Sequence, residues 1–182
     1  MFTSPFRNLS EKNEKKLTFS LLYLFIMSMI ALRYFNIYID GIKAPYGIVS
    51  FEFAGSLENS LEIINSWSTL GKICAGLSLG YDFLFLIIYT LFLSLLIHKV
   101  NVRLWTGKSF YKIGEILIWS MFLTATFDAI ENVSLIKLLV GSHKQYWSSI
   151  AFTFATLKFI LIAIALLYLI SNAFLLLLKK RS

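Results

Sequence analysis

Residues 113–140 read IGEILIWSMFLTATFDAIENVSLIKLLV. About 20 predominantly apolar residues at ~1.5 Å of rise each are enough to cross a ~30 Å hydrocarbon layer as a helix, so this stretch reads as membrane-spanning. Its carboxyls need explaining. An ionised group near the bilayer centre costs roughly 2.5–3.5 kcal/mol on insertion scales, and Asp128 and Glu131 stand well inside the run. Residues three or four apart share a helical face, so Thr124, Asp128, Glu131 and Asn132 point in nearly one direction. Two like charges that close repel, which calls for a raised carboxyl pKa, a cation, a basic side chain or a shared proton between them.

Outward from this stretch, three more segments have the length and character of spans, at about 17–35, 73–97 and 148–178. Asp82 interrupts the second of these and Lys158 the last. The whole chain agrees with such a reading: 182 residues, 58% hydrophobic, 15% charged and a mean hydropathy of +0.74 are too apolar for a soluble domain of this size. Two of the connections, near 98–112 and 142–147, are short and predict adjacent, oppositely directed helices. The expected fold is therefore an all-α membrane protein, a single domain over 1–182 with four transmembrane helices in an antiparallel bundle.

The remaining connection, 36–72, is too long to be a simple turn. Ser56 has the character of an N-cap with Glu58 in the first turn, and Leu57, Leu61, Ile64 and Trp67 follow at near-helical spacing, which predicts an amphipathic helix at the membrane interface. Before it, residues 47–55 are apolar and β-favouring, but with no partner strand an isolated strand is not expected. Glu52 lies in this piece, and if the loop folds over the polar site this carboxyl points inward.

Basic residues orient the chain. Arg7, Lys12, Lys15, Lys16, Lys99, Arg103, Lys108, Lys112, Lys179, Lys180 and Arg181 fall on one side, and Arg33, Lys43, Lys72, Lys137 and Lys144 on the other. The positive-inside rule then puts both termini in the cytoplasm, and for a bacterial source the membrane would be the plasma (inner) membrane. The net charge of +7 resides in these flanks, where anionic lipid is the ready partner, and the pattern lacks the basic, aromatic-interleaved surface of a nucleic-acid reader. The apolar run from Leu17 follows a polar segment containing Glu11 and Glu14 and lacks a small-residue cleavage site, so it reads as a retained anchor. Cys74 is the only cysteine, which excludes an intrachain disulfide and a thiolate metal cluster.

Depth links the charges. Counting inward from span edges near residues 73, 136 and 150 places Asp82 about 14 Å deep, Asp128 and Lys158 about 12 Å and Glu131 about 8 Å. Three helices thus deliver charge to one level in the outer half of the bilayer. On the last span Ala151, Ala155, Lys158, Ile162 and Ala165 share a face whose small residues favour close helix approach, so Lys158 should point into the bundle. Arg33, at the outer end of the first span, is a second candidate cation.

The candidate ligand-binding set is Asp82, Asp128, Glu131, Asn132, Lys158, Thr124, Arg33 and Glu52. Its carboxyls outnumber its cations, which a stored proton, a bound cation or a cationic group on a ligand would settle. The leading reading is a membrane protein that binds a small ligand, lipid headgroup, cation or proton, with coupling to transport as one use. The alternatives are an intramembrane enzyme acting on lipid by carboxyl or metal-assisted chemistry, and a non-catalytic subunit whose charges fix helix register within an oligomer or beside a partner membrane protein. No cofactor, catalytic residue or metal site can be named. His98 and His143 fall outside the acidic cluster, and there is no G-x-S-x-G, H-E-x-x-H or Gly-rich phosphate loop.

Overall fold

A computed structural model describes residues 3–181, with the side chains of 177 and 179–181 excepted, so the orienting charges of Lys179, Lys180 and Arg181 lie outside the described residues. Six helices follow in order: α1 Glu11–Asn36, α2 Ile48–Glu52, α3 Leu57–Ser66, α4 Thr69–Trp105, α5 Tyr111–Leu139 and α6 Gln145–Arg181. There is no strand among the described residues. Four of the helices, α1, α4, α5 and α6 (over Gln145–Leu176), are long and apolar enough to cross a membrane. Each begins or ends beyond the limits expected from hydropathy, because the polar flanks continue the helical hydrogen bonding after the apolar run stops.

Local sequence sets the ends. Ser10, Ser56 and Ser68 each accept a hydrogen bond from the backbone N–H three residues on, satisfying one of the free donors in the first turn of α1, α3 and α4. At the far end of α5, Gly141 takes φ +96°, its N–H reaching Leu138 O while Ser142 N–H reaches Lys137 O. This is a Schellman closure, and the left-handed residue at its centre favours glycine.

Helix α4 packs against α1, α5 and α6, and α5 packs against α6. Along the α4–α5 seam the Asn101 amide donates to Tyr111 O, the Ser94 hydroxyl to Ile118 O and the Thr90 hydroxyl to Met121 O, so positions descend on α5 as they ascend on α4. Helix α1 is enclosed least, burying only Leu21 and Ser28. Large apolar side chains stand far out of the bundle on all sides, among them Phe19 (71% exposed), Ile116 (64%) and Ile170 (67%). Such a belt is stable against lipid and a liability in water.

The 36–72 connection is folded. Ile39, Ala44, Phe51, Ile63, Ile64 and Trp67 bury with Cys74, Ala75, Leu79, Leu135, Leu138 and Ala151 in one apolar cluster. Trp67 Nε1 donates to Ile39 O at 2.9 Å, and Ser60 and Ser148 hydroxyls meet at 2.8 Å. The buried face of α3 therefore rests on protein at the bundle end. The β-favouring piece contains the five-residue helix α2, consistent with the absence of a strand partner. Its importance is positional, since it carries Glu52 to the bundle.

Candidate functional site

On α6 the face bearing Ala151, Ala155, Lys158 and Ala165 is buried, as its small residues require. Lys158 is consequently aimed at α5 and is only 5% exposed. Its Nζ donates to Asp128 Oδ1 at 2.8 Å and to Glu131 Oε1 at 2.9 Å, with Glu131 Oε2 also at 2.8 Å but outside hydrogen-bonding geometry. Glu52 Oε2 from α2 stands 3.5 Å from the same ammonium, in ion-pair range without a hydrogen bond. The Phe159 ring lies beside it, with Nζ 5.1 Å from the centroid.

Two further helical contacts complete the arrangement. The Tyr89 hydroxyl on α4 donates to Asp128 Oδ2 at 2.9 Å, and Asn132 Nδ2 on α5 donates to Asp82 Oδ2 at 2.7 Å. Asp128 thus has a donor on each oxygen, whereas Asp82 makes no ion pair among the described residues. Burial pushes the Glu52 carboxyl up from its ordinary value near 4.5, an effect that Lys158 offsets and the charge of Asp128 reinforces. Three carboxyls, Glu52, Asp128 and Glu131, gather about one cation, and Asp82 is held apart from it by Asn132.

Most of this set lines a cavity of about 480 Å³, with Glu131 outside its lining. That volume lies within the range of small-molecule sites. Glu52, Asp82, Asp128, Asn132, Lys158 and Tyr89 all line it. Its walls are apolar: Phe25, Met29 and Leu32 come from α1, and Phe159, Ile162 and Leu166 from α6. Because α1 rests on α4 while α6 rests on α5 and α4, the cavity occupies the gap between α1 and α6. An ionic floor with hydrocarbon walls can take up a molecule with a polar head and an apolar tail.

Six of the eight expected residues are brought together here. Arg33 lines the cavity but spends its guanidinium on Asp40 at 3.0 Å, and its side chain is 68% exposed. Thr124 is fully buried and back-bonds to Ser120 O at 2.9 Å, away from the cavity lining. Sequence reasoning missed Tyr89. Its signal was a hydroxyl seven residues after Asp82, two helical turns along the same face. Among the described residues no group of three or more His, Cys, Asp and Glu side chains is arranged to hold a metal ion. No protein-family model, curated protein or solved structure matches this chain.

Proposed function

We propose that the protein is an antiparallel four-helix integral membrane protein, with both termini cytoplasmic, that binds an amphiphile bearing a cationic headgroup. In this reading α3 sits at the outer interface, the cavity lies in the outer half of the bilayer, and the ligand's tail lies between α1 and α6, where its walls meet lipid. The observation that carries the proposal is the charge imbalance at Lys158, whose ammonium meets three carboxyls while a fourth, Asp82, lines the same apolar-walled cavity without an ion pair. Buried charge without a partner is costly, so a ligand that brings one positive group gains where a neutral or anionic one does not. Lys158 holds Asp128 and Glu131 in place, Tyr89 and Asn132 orient Asp128 and Asp82, and Glu52 closes the site from above. Proton coupling is built into such a site, because a carboxyl that is protonated when the cavity is empty releases that proton when a cation arrives.

The test compares three ligands of equal tail length, dodecylammonium, dodecanol and dodecanoate, against the purified protein in phosphatidylcholine nanodiscs. The ammonium compound should bind tightest, and Asp82→Asn should weaken it by about tenfold, the equivalent of one charge-assisted hydrogen bond. Equal binding of all three, unaffected by Asp82→Asn, would instead assign the cluster to fixing helix register in a subunit.

A further inference from the structure

A second cavity, of about 490 Å³, lies at the opposite end of the bundle. Thr3, Ser4 and Arg7 of the amino-terminal segment line it together with His98 on α4 and Tyr111 and Glu115 on α5. Its lining differs from that of the first cavity in kind, being largely polar side chains. The seam contacts place His98 opposite Glu115: Ser94 meets Ile118 and Asn101 meets Tyr111, so the position level with His98 is 114–115.

Both groups are buried and incompletely satisfied. Glu115 is 7% exposed and neither of its carboxyl oxygens has a hydrogen-bond partner, while His98 is 5% exposed and its Nδ1 has none. Three free acceptor atoms therefore line one cavity. Buried polar atoms are satisfied in the great majority of cases, and a bare carboxylate is among the most expensive exceptions. The surrounding charges do not supply the missing donors. The Tyr111 hydroxyl lies beside the Glu115 carboxyl and Arg7 lines the same cavity, but no donor meets either Glu115 oxygen in hydrogen-bonding geometry, and Glu14 on α1 faces His98 but is already paired with Lys99 at 3.4 Å.

We propose that this cavity binds a primary ammonium group, held by Glu115 and His98. A primary ammonium has three N–H donors on one charged centre, matching two carboxylate oxygens and one imidazole nitrogen in number and the carboxylate in sign. Arg7, exposed at the rim, is positioned for an anionic group on the same ligand. The chemistry suits both a free small amine and the ammonium of an aminophospholipid headgroup. A quaternary ammonium, which has no N–H, does not satisfy these acceptors.

The chain offers a local reporter, since His98 and His143 are its only histidines and His143 follows α5 at the other end of the bundle. Full-length protein labelled at the histidine rings is placed in nanodiscs of phosphatidylcholine and phosphatidylglycerol and titrated with ethanolamine at fixed pH and ionic strength, with the ring resonances followed by NMR and assigned through His143→Gln. Saturable movement of the His98 signals is expected while those of His143 stay in place. Tetramethylammonium should leave both unmoved. In Glu115→Gln the response should weaken by at least about tenfold, the cost of losing one charged hydrogen-bond acceptor. Glu58→Gln, exposed on α3 at the other end of the bundle, should respond as the wild type does and guards against a general effect of removing a carboxylate. Nanodiscs containing phosphatidylethanolamine separate the sources: His98 signals already moved, with ethanolamine adding nothing, identify the lipid headgroup, and an unchanged titration identifies the free amine. A His98 signal that ignores ethanolamine in both lipids, or that moves equally with tetramethylammonium or in Glu115→Gln, overturns the proposal.

Discussion

Lys158 is the residue on which the loop-end cavity depends, because its ammonium contacts carboxyls from both α5 and α2. Removing one member of a buried ionic set leaves the others uncompensated, so Lys158→Met should destabilise the fold by roughly 3–5 kcal/mol, measured by reversible unfolding in mixed detergent. Asp128→Asn added to Lys158→Met should cost less than the sum of the two single changes, since they share a partner. Strict additivity would mean that the contact carries no energy. Glu52 gives a pH signature. Its native pKa is raised, so the folded state holds the proton more tightly than the unfolded chain, and its contribution is complete below the ordinary carboxyl range and lost as pH rises through the raised value. Glu52→Gln should therefore flatten the fall in stability above about pH 4.5, and an unchanged slope would place the titration elsewhere. Asp128, Glu131, Asn132 and Lys158 were legible in the sequence because a charge in an apolar run has few places to go. Tyr89, Phe159 and Glu115 were not singled out, since an aromatic residue or a carboxyl near a helix end has common structural roles that hide a specific one.

At the scale of elements, hydropathy and charge located all four long helices, because each must satisfy its own backbone and present an apolar surface. What hydropathy could not supply was the fold of the 36–72 connection, whose apolar residues bury against the ends of α4, α5 and α6 in contacts distant in sequence. A helix such as α2, only one turn long, leaves no periodicity to read. The seam between α4 and α5 has its own weak point at Gly114, where an added Cβ would collide with the Asn101 amide. That amide is not free to swing away, since Asn101 donates to Tyr111 O at 3.0 Å and accepts from the Tyr168 hydroxyl at 3.2 Å. Gly114→Ala should therefore lower stability by about 1–3 kcal/mol, an overpacking cost, despite alanine's better helix propensity. A stabilised variant in the same unfolding assay would show that the seam has slack.

For the whole molecule, the proposed topology puts the two cavities on opposite faces of the membrane. In a Cys74→Ser background, cysteines at the exposed positions Asn65 and His143 should react with an impermeant maleimide added to intact cells, and one at exposed Ser109 only after lysis. The reverse pattern would invert the orientation while leaving both cavities in place. On the proposed function, surplus carboxyl groups at the loop end hold a proton while the cavity is empty and release it when a cationic headgroup fills it. Infrared difference spectroscopy in bilayers tests this most directly, by recording the protonated-carboxyl band before and after dodecylammonium binds. The expected result is a band in the empty protein that falls on binding, with the change reduced in Glu52→Gln; a protein with no such band, or with one that binding leaves unaltered, would contradict the account.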